Sequence, residues 1–298
     1  MASNPDPLPD QTGRTFVITG ANGGLGAVVT ETLAAAGARV IMACRDPRRA
    51  QSIADRAAGD VSVAALDLAD LASIRAFSAE CGEIDVLINL AGVMNVPFAR
   101  TTDGFEMHCG INYLGHFALT GRLLGRISDR VISVSSIAHQ WTSDLAVDDL
   151  SCHRRRYRRS RAYAQSKLAT LIFGRELQRR FRAAGSERRS YAVHPGVAPT
   201  PLVARTGTPL DYVAEPFIGL VGQSRTAAAR STLFAATSAD ADPEIYWGPT
   251  RLLHTRGPVG PCPSSALSQD RALAAQLWLA AEAATDVRYR FDSTASAT

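Results

Sequence analysis

From Thr15 onward, short apolar runs alternate with longer stretches in which hydrophobic positions recur every three or four residues. TFVITG, ARVIMAC, VSVAAL, IDVLINL, RVISVSS and SYAVHP read as strands, each a β-rich apolar run bounded by turn formers. The segments between them read as helices over 24–37, 47–57, 70–80, 104–126 and 160–184, the first closing on Gly37. Near-continuous apolar strands, in place of alternating ones, indicate a parallel sheet covered by helices on both faces. The pattern predicts an α/β fold: a doubly wound parallel sheet in a single domain. After His194 the pattern weakens. A stretch over about 197–225, with Pro, Gly and scattered hydrophobics, is expected to act as a substrate lid. It leads into a helix at 224–239, a last strand IYWGP, a loop PVGPCPSS and a C-terminal amphipathic helix over 266–285. Residues 1–12, where Pro5, Pro7 and Pro9 alternate with other residues, are expected to form a loose tail, and 293–298 another, leaving 13–292 as the folded domain.

With 298 residues, 46% of them hydrophobic and 20% charged, the chain has ample material for one large core, which excludes a disordered or fibrous protein. No run approaches the roughly 18 consecutive apolar residues of a membrane helix. The N-terminus MASNPDPLPDQTG has neither a basic nor an apolar targeting region, so a cytoplasmic location without an integral membrane segment is expected. Cys44, Cys81, Cys109, Cys152 and Cys262 are odd in number, scattered and without a CxxC. They are expected to be reduced thiols, with no disulfide framework and no metal site. Of the 32 basic side chains, Lys167 alone is Lys. The bias toward Arg fits a GC-rich genome and, with it, bacterial secondary metabolism. It also raises the question of what Arg could not do at position 167.

Two motifs carry chemistry. TGANGGLG stands at the turn from the first strand to the first helix, with Gly20, Gly24 and Gly26. Glycines there let the backbone turn tightly and approach a pyrophosphate, which the helix N-terminus holds by its free N–H groups and dipole. YAQSK places Tyr163 and Lys167 at i and i+4, on one face of the long helix. A chance YxxxK is expected only about 0.02 times in a chain with one Lys, so this is the sharper signal. A free phenol has a pKa of about 10, too high for proton transfer at neutrality, and a nearby ammonium lowers it by stabilising the phenolate. The second strand informs cofactor choice. Where a site for NAD has an acidic residue to bind the ribose 2′-hydroxyl, this chain has Cys44 followed by Arg45. No carboxylate repels a 2′-phosphate there and an Arg is at hand to pair with it. The expected cofactor is NADP(H).

The GxxxGxG spacing, the YxxxK pair and the segments ACRD, INYLGHF, SSIAH, DDL and HPGV resemble the short-chain dehydrogenases/reductases, and within them the retinol dehydrogenase-like branch, over roughly 14–292. The resemblance implies a Rossmann-like fold and a set of roles. Tyr163 serves as catalytic acid or base, Lys167 also holds the nicotinamide ribose, Ser136 hydrogen-bonds the substrate oxygen, and Asn112 supports a water chain to Lys167. Gly20, Asn22, Gly24, Leu25 and Gly26 cradle the cofactor, with Arg45 at its ribose phosphate, and Asp67 and Leu68 lie near the adenine. Asn89, Ala91 and Gly92 permit a close backbone approach, and Pro195, Gly196, Val197 and Thr200 stand beside the nicotinamide carboxamide. Asp67 precedes a helix and is equally an N-cap candidate. Leu90 stands where the family usually has the second Asn of NNAG, which puts one strand-end hydrogen bond in question. Ser135 is expected to be a structural hydroxyl.

His139, Trp141, Tyr212 and Phe217 are candidates for the substrate wall, since segments after the fifth and sixth strands overhang the crevice. RRRYRRSR at 154–161 packs six Arg into eight residues. It reads as a solvated loop, with an anion site as the alternative, and no nucleic-acid recognition module accompanies it. The expected activity is hydride transfer between nicotinamide and a small-molecule substrate, a hydrophobic ketone, aldehyde or alcohol. An epimerase or dehydratase using the dinucleotide without net turnover is the alternative, and a dinucleotide-sensing binding protein a third reading. A homo-oligomer is compatible with the resemblance, although the 27 residues from Ser136 to Tyr163 imply an insertion that could cover the pairing face.

Overall fold

The structure, a computed structural model, describes residues 8–198 and 222–291. Eight strands form one sheet: β1 (Thr15–Thr19), β2 (Arg39–Cys44), β3 (Val61–Ala65), β4 (Ile84–Asn89), β5 (Ile127–Val134), β6 (Arg189–Val193), β7 (Trp247–Arg251) and β8 (Arg256–Pro261). Their order is β3-β2-β1-β4-β5-β6-β7-β8. Pairing is parallel from β3 through β7, and β8 runs antiparallel to β7. The order reverses between β1 and β4, and in such sheets ligands bind in the crevice beyond the carboxyl ends of the strands at that point.

The helices are α1 (Gly24–Ala35), α2 (Pro47–Ala54), α3 (Leu71–Glu80), α4 (Met107–Cys109), α5 (His116–Leu123), α6 (Arg159–Ala183), α7 (Arg225–Thr237) and α8 (Arg271–Thr285). Alternate strand residues serve opposite faces. Phe16 and Ile18 of β1 pack with Val29 and Leu33 of α1 and Leu233 of α7, whereas Val17 joins Ile74, Phe117, Leu168, Ile172 and Trp278 on the other side. Each face therefore has its own apolar core, which is why the strands read as unbroken hydrophobic runs.

Four expectations are corrected. The helix read over 104–126 begins at Met107, where Glu106 accepts from the N–H groups of His108 and Cys109, both at 2.9 Å. It widens into a π-helical segment over Gly110–Gly115 before α5, an insertion that hydrophobic periodicity does not register. The stretch PVGPCPSS, read as a loop, contributes most of β8, so the sheet is not wholly parallel. The tail is shorter than expected: Gln11 is buried and its N–H donates to Ala36 O at 2.8 Å, while Leu8 packs against the core. Finally, Asp270 accepts from Ala272 and Leu273 N–H, so the last helix starts at Arg271 and 266–269 forms a separate turn. Thr200, Tyr212, Phe217 and most of the expected lid lie outside the described residues, as does the C-terminal tail.

Trp278 anchors the packing of α8. It is 2% exposed, with ring centroids 5.1 Å from Phe117 and 4.5 Å from Tyr289, and the Arg180 guanidinium lies 4.0 Å over its ring. Trp278→Ala is expected to lower the unfolding free energy by about 3–5 kcal/mol in denaturant titrations. Leu279→Ala, next to it but 60% exposed, should change stability by no more than about 0.5 kcal/mol.

Candidate active site

The glycine-rich turn follows β1. Gly20 has φ +65°, and a Cβ there would stand 2.9 Å from Ala91 Cα; on Gly26 it would stand 2.5 Å from Gly20 O. The turn thus closes on itself and on the end of β4 in a way that no larger residue permits. Gly23 caps α1 without a side chain, and the first turn contains no acidic residue. Among the described residues, therefore, no capping side chain accepts from the N-terminal N–H groups, which suits an anion. Asn22 and Leu25 are half-buried in the same turn.

At the end of β2, Cys44 is buried against the backbone of Ala21 and Asn22, and burial raises its pKa. Arg45 is exposed. Asp46 caps α2 by accepting from Arg49 N at 3.4 Å. Asp67 accepts from Ala69 N at 2.9 Å, closing its own turn, whereas Asp70 is the N-cap of α3; the capping alternative read for Asp67 is thereby corrected. The Leu68 side chain belongs to the core. Asn89 donates to Thr120 Oγ1 at 2.9 Å, and its buried Oδ1 has no partner among the described residues. A glycine cradle, an uncapped helix start and an orphaned buried carbonyl fit a dinucleotide along this edge of the sheet.

The side chains expected to carry the chemistry come from the turn after β5, from α6 and from the π-helical segment. Ser135 donates to Lys167 O at 2.7 Å, tying β5 to α6. Ser136, at the start of the turn after β5, accepts from Ala138 N at 3.2 Å and shares a side-chain hydrogen bond with Tyr163. Lys167 donates its Nζ to Val134 O at 2.9 Å. Asn112 is clamped: it accepts from Val93 N at 2.8 Å and donates to Val93 O at 3.0 Å and to Ser166 Oγ at 2.9 Å. A Cβ on Gly92 would stand 3.1 Å from Asn112 Oδ1 and 3.4 Å from Lys167 Nζ. Gly92 therefore lies where these two side chains meet.

Tyr163 and Lys167 are both buried. Burial disfavours the charged form of each, so the Tyr163 phenol is pushed up, opposed by its bond to Ser136. The same cause pushes Lys167 down to about 8. The ammonium was expected to lower the phenol; in the structure the largest influence on Tyr163 is desolvation, which raises it, and the bond to Ser136 is what opposes that shift.

Two positions not singled out for the site organise it. His116 is buried and neutral, its pKa pushed down to about 4 by desolvation. Its Nδ1 lies 3.1 Å from Asn112 O, which can only accept, so Nε2 accepts from the Thr19 hydroxyl at 2.9 Å. Ser166 takes the Asn112 amide and donates to Tyr163 O at 2.8 Å. The spacing of INYLGHF and YAQSK contains both residues, but only the tertiary pairing of the two helices reveals their bonds.

Val197 donates its N–H to Thr255 O at 2.9 Å and accepts from Gln223 N at 2.8 Å. Gly196 has φ +69° and Pro195 O accepts from Gln223 Nε2 at 2.8 Å. His139 is buried, its Nδ1 2.7 Å from Ser136 O, so it supports the turn after β5. Trp141 is 66% exposed, beside Arg158 and Arg161, and no closed wall forms around it among the described residues. Of the six Arg at 154–161, Arg154, Arg155 and Arg161 pair with Asp148, Asp149 and Asp144. No group of residues able to hold a metal occurs among the described residues, and no described helix is long and apolar enough to cross a membrane.

Residues 14–147 match the short chain dehydrogenase family model. Human retinol dehydrogenase 12 is 46% identical over 204 residues, covering 64% of this chain and 63% of that protein. Human retinol dehydrogenase 13 is 40% identical over 248 residues, covering 77% and 74%. The crystal structure of an uncharacterized protein from Mycobacterium paratuberculosis matches with a TM-score of 0.83 and 44% identity over 95% of this chain and 97% of that one. Fold and site together define a dinucleotide-binding α/β architecture. The chain belongs to the short-chain dehydrogenase/reductase family, in its retinol dehydrogenase-like branch.

The depressed pKa of Lys167 makes stability pH-dependent. Its folded value of about 8 lies below the ordinary 10.5, so the unfolded chain binds more protons between those values and stability rises with pH across that window. Below pH 8 the cost is present in full. Lys167→Met, studied without dinucleotide, is expected to melt at a higher temperature than the parent at pH 7, with the gap narrowing toward pH 10.5. A gap that stays constant with pH would show that Lys167 is not destabilised by burial.

Proposed function

We propose that this protein is an oxidoreductase that uses NADP(H) to interconvert a hydrophobic ketone or aldehyde and the corresponding alcohol. The observation that carries the reading is the gathering of Ser136, Tyr163, Lys167 and Asn112 at the carboxyl edge of the sheet, beside a glycine cradle built for a pyrophosphate. The nicotinamide, when bound, supplies or accepts the hydride. Tyr163 gives its hydroxyl proton to the alkoxide that develops on the substrate, or takes it from the alcohol in the reverse direction. Ser136, already bonded to Tyr163, offers a hydrogen bond that strengthens as charge grows on the substrate oxygen. Lys167, buried with its ammonium near Gly92, stabilises the phenolate left after proton transfer. Asn112, fixed on both sides by Val93 and Ser166, holds the segment beside Lys167 in register.

NADP(H) is favoured over NAD(H) because Cys44 occupies the end of β2, Asp46 is engaged in capping α2, and Arg45 is exposed beside them. A 2′-phosphate would meet a guanidinium and no free carboxylate. Retinol, for which both human relatives are named, is an apolar alcohol, in keeping with a hydrophobic substrate.

Purified protein titrated with NADPH and NADH, followed by nicotinamide fluorescence, tests the cofactor. Arg45→Ala is expected to weaken NADPH by about tenfold or more while leaving NADH nearly unchanged. Equal effects on both would sink the 2′-phosphate assignment. In steady-state assays against a panel of apolar ketones and aldehydes, Tyr163→Phe should lower kcat by about 10²–10⁴-fold with cofactor affinity retained. Retention of wild-type kcat would remove Tyr163 as the proton donor.

A further inference from the structure

Gly24 has no positive φ and is not glycine for conformational reasons. Space explains it. A Cβ on Gly24 would stand 3.0 Å from Arg225 Nε, 3.2 Å from its Cζ and 3.3 Å from its Cδ. The arginine thus lies against the bare Cα of the first residue of α1. Its backbone is fixed there. Ser224 caps α7 by accepting from Ala227 N at 3.1 Å, and Gln223 is tied to Val197 O and Pro195 O and accepts from Gly257 N at 3.2 Å. α7 itself packs along α1.

The glycine turn and α1 bring N–H groups and a helix dipole to this spot but no full positive charge, since residues 15–38 contain neither Lys nor Arg. A pyrophosphate carries two negative charges, and a cation with several donors placed at the same turn complements it as the backbone alone does not. We propose that Arg225 is a pyrophosphate-binding residue, completing from α7 the anion site that the glycine turn begins. The inference rests on the dinucleotide reading given above. It assigns Arg225 to the part of the cofactor that NADP(H) and NAD(H) share, and so separates its role from that of Arg45.

The test compares wild-type protein with Arg225→Ala and Arg225→Lys, titrated with NADPH, NADH and adenosine 2′-monophosphate by fluorescence and calorimetry. Arg225→Ala is expected to weaken both dinucleotides alike, by about tenfold, and to leave the monophosphate, which has no pyrophosphate, unchanged. Arg225→Lys should recover part of the loss, because it restores charge without the fork. Circular dichroism and melting temperatures establish that each variant is folded, and Arg225→Lys carries the test if Arg225→Ala does not fold. Unchanged affinity for both dinucleotides would overturn the assignment, as would a loss confined to NADPH, which would move Arg225 to the 2′-phosphate. Wild-type protein that binds neither dinucleotide would instead overturn the cofactor reading beneath it.

Discussion

The hydroxyl of Thr19 joins the parts of this molecule that must stay in register. At the end of β1, next to the glycine turn, it accepts from Leu90 N at 2.9 Å and Ala91 N at 3.0 Å, and lies 2.9 Å from His116 Nε2. One oxygen thereby links β1, the end of β4 and the helical segment that carries Asn112. Through His116 Nδ1 and Asn112 O the chain of bonds continues to Thr170, which donates to the same carbonyl from α6 at 3.1 Å. The three segments that frame the crevice are coupled by buried polar bonds, where a missing partner is costly and geometry is correspondingly well specified. This also explains how Leu90 is tolerated: the backbone that an Asn side chain would otherwise help to hold is held by Thr19, and Leu90 packs against the apolar core.

Much of the architecture was legible because parallel strands buried on both faces leave an unmistakable apolar run, and each helix in the first half begins near a turn former. What the pattern hid has physical causes. The π-helical segment at Gly110–Gly115 shifts the helical phase without changing composition. β8 is short, rich in Pro and Gly and half exposed, so it has the composition of a loop and is a strand only because β7 lies beside it. Asp67 and Asp70 both precede α3, and only the backbone decides that Asp70 caps it.

The site was legible in its local motifs and illegible in its tertiary ones. Tyr163 and Lys167 share a helix, so spacing alone aligned them. Ser166, His116 and Arg225 act through partners 54, 97 and roughly 200 residues away, and no local pattern signals such a meeting. The burial of Tyr163 and Lys167 was equally invisible, although it is the largest influence on where each titrates. The Arg-rich stretch at 154–161 read as a solvated loop, with an anion site as the alternative. Its alternation with the acids at 144, 148 and 149, which pair with three of its arginines, emerges only when the turns after β5 fold back on the start of α6.

β8 also determines how the sheet ends. It forms one margin of the described sheet, and Pro261, which faces away from β7 because its neighbour Cys262 donates its N–H inward to Tyr246 O, has no N–H to present to a further strand. A row of free donors and acceptors along a sheet margin invites another chain to add itself there. Here the margin is blunted by one of the prolines that made it look like a loop, so among the described residues the ladder ends at β8 on an edge with a donor missing, a poorer template for edge-to-edge aggregation.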